Sequence, residues 1–312
     1  MSKYAFGVDI GGTSVKMGLF DAGGNVLDKW EIPTVKENKG EAILPDVAKS
    51  LLAKMKETNL REEELVGVGV GAPGAMDDTG TLLCGAVNLG WDRFNIPEKL
   101  GAYINVPIKA VNDANAAAFG EMWQGGGKGY SSLVAVTLGT GVGGGVVIDG
   151  KILVGATGAA GEIGHVHIED RETESCNCGN KGCLEQYTSA TGIVRLAERY
   201  LAKCDTPTVL RDRRVSAKTV FDAVKAQDSV AMEIAGQFGD YLGKGLAMVA
   251  GVLNPEIFVI GGGVSKAGEI LISYIEPYFR KYAFVQCKDT KFALAKLGND
   301  AGIYGAAAAV LL

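Results

Sequence analysis

Cys176, Cys178 and Cys183 crowd into one short stretch, and with His165 they form the pattern His-x10-Cys-x-Cys-x4-Cys. Thiolate and imidazole are the donors zinc prefers, and three Cys with one His is a standard closed, tetrahedral structural set. Gly179 and Gly182 lie between the last ligands, as a tight metal loop requires. A disulfide framework would spread its cysteines in pairs instead. Four protein ligands leave no open coordination position, which disfavours hydrolytic metal chemistry. His167 stands two residues beyond His165 and in a strand would share its face, so spacing leaves both imidazoles in play. Cys84, Cys204 and Cys287 stand alone and read as small apolar residues.

A second chemistry is written in glycine. Asp9-Ile-Gly-Gly-Thr13, Leu138-Gly-Thr-Gly-Val142 and Ile260-Gly-Gly-Gly263 each follow an apolar run. Such turns expose backbone N–H groups to an anion without side-chain obstruction. Asp9, Gly11, Gly12, Thr13, Gly139, Thr140, Gly141, Gly262 and Gly263 are therefore candidate nucleotide contacts. No Walker A string occurs, and no clean G-x-G-x-x-G opens a helix after an early strand with the expected acidic partner. Asp9, acidic and at a strand end, suits Mg2+ through water, or anchors its turn.

Asn112-Asp113 falls where a strand ends and a helix begins. Asp113 is either an N-cap or a general base that takes a proton from a substrate hydroxyl, with Asn112 or Asn115 sharing the capping. Glu162 and Glu185 flank the proposed metal and offer the polar groups that a neutral polyol needs. Gly74, in the loop Gly71-Ala-Pro-Gly74, is a further candidate substrate contact.

These residues need a scaffold of alternating strands and helices. Apolar runs predict strands over 4–9, 16–20, 26–32, 66–70, 108–111, 133–138, 143–148 and 257–260. Helical spacing of Ile43, Leu44, Val47, Leu51, Leu52 and Met55 predicts a helix over 41–58, with others over 114–122 and 301–312 and a helix-rich stretch over 189–252. At an offset of 128, Val8/Val136, Ile10/Leu138, Gly11/Gly139 and Asp21/Asp149 coincide, as if strand, Gly turn and strand were used twice. Gly125-Gly-Gly127 is a plausible hinge. The division expected is a small domain of residues 1–118 plus the helix 301–312, and a large one of 119–300 that carries the metal site.

Composition excludes several classes. The net charge is −5 and the densest basic patch is Arg211-Asp-Arg-Arg214, far from a nucleic-acid footprint. The apolar stretches fall short of the roughly 20 residues that a membrane helix needs. The first residues lack a signal-peptide core and run straight into a strand pattern, so a cytoplasmic protein with no membrane or nucleic-acid partner is expected.

Taken together, Asp9-Ile-Gly-Gly-Thr13, Asn112-Asp113-Ala-Asn115, Leu138-Gly-Thr-Gly-Val-Gly-Gly-Gly145, Gly161-Glu-Ile-Gly-His165 and Cys176-Asn-Cys-Gly-Asn-Lys-Gly-Cys-Leu-Glu185 resemble the ROK family (repressors, open reading frames and kinases), and within it the bacterial glucokinases. The resemblance covers nearly the whole chain. It implies an α/β actin-like ATPase (ribonuclease H-like) fold of two domains with an ATP and sugar cleft between them. It implies structural Zn2+ on His165, Cys176, Cys178 and Cys183, Asp113 as catalytic base, and sugar contacts from Asn88, Asn112, Glu162, His165 and Glu185. His165 would serve twice, with one ring nitrogen on zinc and the other facing a sugar hydroxyl. The implied reaction moves the γ-phosphoryl of Mg·ATP to the 6-hydroxyl of a hexose. Asn88-Leu-Gly-Trp91 favours glucose over N-acetylmannosamine, fructose or allose, and polyphosphate is an alternative donor. A repressor built on the same body would carry an N-terminal helix-turn-helix arm, for which the first phosphate turn at Gly11 leaves no room. Homodimers or homotetramers are the assembly expected.

Overall fold

The computed structural model describes residues 3–312. β1 (Tyr4–Ile10) and β2 (Ser14–Asp21) pair antiparallel, from Tyr4 opposite Asp21 to Ile10 opposite Val15, so Gly11-Gly12-Thr13 is the whole connection. β3 (Val26–Pro33) continues the meander. A single turn, α1 (Glu37–Gly40), precedes α2 (Ile43–Glu57), whose buried Ile43, Leu44, Val47, Ala48, Leu51 and Met55 recur at helical spacing. β4 (Leu65–Ala72), α3 (Ile96–Gly101), β5 (Ile108–Asn112) and α4 (Asp113–Gln124) follow. The first sheet has the order β3-β2-β1-β4-β5, with β1, β4 and β5 parallel.

The second sheet repeats this plan. Its strands are β6 (Leu133–Leu138), β7 (Val142–Ile148), β8 (Lys151–Ile152), β9 (Ile257–Gly261) and β10 (Lys291–Leu294). In the order β8-β7-β6-β9-β10 they match β3-β2-β1-β4-β5 position by position, and β6, β9 and β10 are again parallel. The coincidences at an offset of 128 mark this duplication. α5 (Glu185–Thr188), α6 (Ala190–Leu201), α7 (Ala217–Lys225), α8 (Ser229–Leu253) and α9 (Ile270–Tyr282) lie between β8 and β10 in the chain. The layout is the actin-like ATPase arrangement of two mixed five-stranded sheets with helices.

α10 (Ala301–Leu311) returns to the first sheet, where it packs on β1, β4 and α4. The approach is close enough that a Cβ on Gly69 would lie 1.7 Å from the Ala306 carbonyl oxygen. Glycine in the strand and alanine on the helix are what let the two backbones meet.

Two compact units result: the chain up to Ser131 with Gly145–Gly161 and Lys296–Leu312, and Ser132–Gly144 with Glu162–Ala295. The expected boundary at 118/119 falls inside α4, which continues without a break to Gln124. Arg211–Arg214 is solvent-exposed throughout. Cys287 is buried as an apolar residue should be, whereas Cys84 is exposed and Cys204 half-buried, so the apolar reading holds for one of the three. Among the described residues no helix is long and apolar enough to cross a membrane.

Candidate active site

In the second unit, His165 ends a short 3-10 turn (Ile163–His165), and the loop that follows brings it back to the cysteines. One ligand atom from each of His165, Cys176, Cys178 and Cys183 lies within 4.8 Å of all the others. The Cys178 and Cys183 sulfurs are 3.6 Å apart, and Cys176 Sγ is 3.8 Å from His165 Nδ1. A tetrahedron with metal–ligand bonds of about 2.0–2.3 Å has edges of roughly 3.5–3.8 Å, so the donor set fits zinc in both chemistry and spacing. Burial, and after it the Glu185 carboxylate, push the Cys176 thiol well above the ordinary thiol range. Burial also raises Cys183, while the Asn180 backbone N–H lowers the exposed Cys178. A divalent cation would supply the positive charge that the buried Cys176 and Cys183 sulfurs lack.

His167 is not part of this group. Its Nδ1 lies 2.9 Å from the Lys181 carbonyl and its Nε2 2.7 Å from Asp170, so both ring nitrogens are engaged elsewhere. The strand geometry that would have put both imidazoles on one face is absent, because His165 belongs to the 3-10 turn.

The two acidic candidates sit on different edges of His165. Glu162 Oε2 is 4.0 Å from Nε2 and solvent-exposed. Glu185, at the start of α5, is largely buried, and its Oε1 lies 3.8 Å from Nδ1 and accepts from Cys176 Sγ at 2.9 Å. Glu185 Oε2 accepts the Val142 N–H at 3.3 Å, which ties the metal knot to the Gly139-Thr140-Gly141 turn. A Cβ on Gly141 would lie 2.6 Å from that oxygen, so a side chain there would push the Glu185 carboxylate away from the turn.

The third Gly turn belongs to the same unit. Gly262 has φ +84°, and a Cβ there would lie 2.5 Å from the Leu138 carbonyl, which packs this loop against the end of β6. Beside it is a cavity of about 160 Å³ lined by Gly263, Val264 and Lys266 together with Lys218, Phe221 and Lys225 of α7. The sequence reading missed these α7 residues. Ser216 marks the start of that helix as an N-cap type, accepting the Thr219 N–H at 3.1 Å, yet nothing local says which face lines a cavity.

In the first unit, Asn112 is the N-cap of α4, with Oδ1 accepting Ala114 N–H at 2.9 Å and Asn115 N–H at 3.2 Å. The capping role is thus filled, and Asp113 is the first residue of the helix. Asn112 Nδ2 donates to the Gly74 carbonyl at 3.2 Å and to Asp113 Oδ1 at 3.0 Å, so these three candidates meet. Asp9, at the end of β1, is pushed up to about 6 by burial and then by the negative charge of Asp113, against the pull of Lys16 opposite it in β2. Two carboxylates that repel across a half-buried site are a fitting donor pair for a divalent cation. Gly12 faces open space at the adjoining turn, where Thr34 donates its hydroxyl to the Gly11 carbonyl at 2.7 Å. Asn88 is exposed in a short turn (Val87–Leu89) bracketed by the Ala86–Trp91 bridge.

Residues 5–311 match the model of the ROK family. A glucokinase of Halalkalibacterium halodurans is 43% identical over 309 residues, covering 97% of this chain and 93% of the relative. A ROK hexokinase structure from Thermus thermophilus superposes with a TM-score of 0.79 at 32% identity, covering 98% of this chain and 97% of the other. A ROK family glucokinase of Streptomyces griseus, solved with glucose and AMPPNP, gives 0.71 at 32% identity over 97% and 98% of the two chains.

Proposed function

The chain belongs to the ROK family, and from that premise we propose that it is an ATP-dependent glucokinase that transfers the γ-phosphoryl of Mg·ATP to the 6-hydroxyl of glucose. One observation carries the reading: the His165 ring has Nδ1 against the cysteine cluster and Nε2 toward Glu162, with Glu185 beside it. An imidazole fixed in this way, between carboxylates, is a built acceptor for a polyol rather than a catalytic metal site.

Phosphoryl transfer asks for positioning and charge neutralisation more than covalent help. Asp113 takes the proton of the attacking hydroxyl, held for that task by Asn112 Nδ2, which also fixes the Gly74 carbonyl. Asn88, Glu162, His165 and Glu185 orient the remaining hydroxyls. His165, Cys176, Cys178 and Cys183 would hold Zn2+, which would fix the orientation and tautomer of the ring and take no part in the transfer itself. Asp9 would hold Mg2+, which would offset phosphate charge. The turns at Gly11-Gly12-Thr13 and Gly139-Thr140-Gly141 present N–H groups to the phosphates. The cavity at Gly263, with Phe221 in its wall and Lys218, Asp222, Lys225 and Lys266 around it, offers the apolar wall and the cations that an adenosine phosphate takes, with Lys218 already paired to Asp222, which favours ATP over polyphosphate.

An ADP-release assay across glucose, N-acetylmannosamine, fructose and allose tests the proposal. The expected result is a kcat/KM for glucose at least about ten-fold above the others, the upper end of the net worth of one hydrogen bond. A preference for another hexose would keep the kinase and change its substrate. The absence of ADP release with every sugar would end the reading.

A further inference from the structure

The Gly139-Thr140-Gly141 turn is fastened to the segment that runs from Glu185 to Thr191. Val142 N–H donates to Glu185 Oε2 at 3.3 Å, Ala190 N–H donates to the Gly139 carbonyl at 2.7 Å, and Thr191 Oγ1 donates to the Thr140 carbonyl at 2.9 Å. Behind Thr191 stands Ser189, whose Oγ is 2.9 Å from Thr191 Oγ1, 2.7 Å from the Glu185 carbonyl and accepts the Gly192 N–H at 3.0 Å.

Counting protons orders this group. Two hydroxyl protons face three contacts: the Thr140 carbonyl, the Glu185 carbonyl and the Ser189–Thr191 pair. The Glu185 carbonyl already receives the Ser189 backbone N–H at 3.2 Å. With both of its lone pairs in use, that carbonyl keeps the Ser189 hydroxyl proton at 2.7 Å, and the Thr191 proton goes to the Thr140 carbonyl at 2.9 Å, so each hydroxyl secures one carbonyl.

Thr191 is an odd residue for a purely structural task. It is exposed, and a small polar hollow of about 160 Å³ opens beside it, lined by Thr140, Ser175, Cys176, Asn177 and Ser189 among others. Water in that hollow can satisfy the Thr140 carbonyl if the hydroxyl is lost, so the fold has little to gain from it. What water cannot do is hold the carbonyl in place.

We propose that Thr191 is a positioning residue that keeps the Gly139-Thr140-Gly141 turn in register with Glu185, so that the acceptor-side carboxylate and the donor-phosphate turn behave as one piece. The inference rests on the kinase reading above for its functional half and on the hydrogen bonds alone for its structural half.

Thr191→Val and Thr191→Ser separate the two. Thr191→Val is expected to raise the KM for ATP roughly five-fold, the ordinary worth of one hydrogen bond, while the KM for sugar stays within about two-fold and Thr191→Ser restores the wild-type value. Amide exchange at Gly139–Val142, measured on the protein without sugar or nucleotide, is expected to quicken in Thr191→Val and to recover in Thr191→Ser. Unchanged exchange in Thr191→Val overturns the tie whatever the activity. Quickened exchange with an unmoved ATP KM, or with both KM values rising together, overturns the positioning role. A wild-type chain that phosphorylates no hexose ends the kinase reading and leaves the tie to be judged by exchange alone.

Discussion

Glu172 and Arg199 face one another fork to fork, with Nη1 3.1 Å from Oε2 and Nη2 3.2 Å from Oε1. Arg195, one helical turn earlier, places Nη2 2.5 Å from the same Oε2, and the Tyr187 hydroxyl donates to it as well. The Glu172 side chain is 1% exposed, and its Oε1 also accepts the backbone N–H groups of Thr173 and Glu174 at 2.9 Å. The carboxylate thus pins the loop between His165 and Cys176 to α5 and α6. Removing one partner of such a buried network leaves the others uncompensated, at a cost of about 3–5 kcal/mol. Glu172→Gln is expected to lower Tm accordingly, and near-wild-type melting would remove Glu172 from this role.

The same carboxylate has a pH signature. Burial alone would raise its pKa, yet Arg199, Tyr187, the Glu174 N–H and Arg195 outweigh burial and hold it well below the usual range. A depressed pKa contributes stability that is present above the unfolded value, about 4.5, and is lost as pH falls through and below it. Wild-type Tm should therefore drop more steeply than that of Glu172→Gln between about pH 5 and 3, narrowing the gap between them. Parallel curves would contradict the assignment.

Asp9 has the opposite sign. Its folded pKa of about 6 lies above the unfolded 3.8, so folding is favoured by its proton below 3.8, and that contribution is lost as pH rises through 6. Above that point the charged group costs about 2–3 kcal/mol in the absence of a cation. Asp9→Asn is expected to melt higher than wild type at pH 8 and to match it more closely near pH 4, with Mg2+ reducing the difference and turnover falling. An Asp9→Asn protein no more stable than wild type at pH 8 would contradict this.

Asp113→Asn tests the base. Asn112 caps α4 and keeps doing so in the variant, so folding and sugar affinity should hold. Turnover should fall by ~10²–10⁴, the usual scale for losing a general base. Turnover within a few-fold of wild type would take Asp113 out of the mechanism.

Cys178→Ser tests the metal knot. Cys178 is the exposed member of the cluster, so its replacement leaves the buried packing of Cys176 and Cys183 in place. Metal content should fall and sugar KM rise together, because a ring freed from its metal is free to turn. A metal-free variant with unchanged sugar KM would show that the cluster does not position His165.

The sequence made the repeating parts of the fold legible. The strand over 133–138 is found residue for residue, and the duplicated strand, turn and strand is visible at the offset of 128. α9 was passed over, although Leu271, Ile275 and Phe279 recur every four residues on its buried face, since Pro277 interrupts the pattern as a breaker. β10 is four residues long and begins with lysine, too little for a period to show. At the site, clustered ligands were readable because their chemistry is local. Glu172 was not, because Glu169-Asp-Arg-Glu-Thr-Glu174 reads as a solvated run until Arg195 and Arg199 arrive from α6. Thr191 was missed for the same reason: its partner lies fifty-one residues away in the chain.

The seat of α10 bears on how the molecule is made. Strands β1, β4 and β5 have all been synthesised by residue 112, but the helix that lies on β1 and β4 starts at Ala301. During translation the glycine-lined face of that sheet waits bare while the second unit is synthesised, open to chaperones or to misplaced helices. Loss of α10, by a premature stop or a protease, would therefore uncover β1 and β4 near the start of the chain rather than its neighbours in sequence.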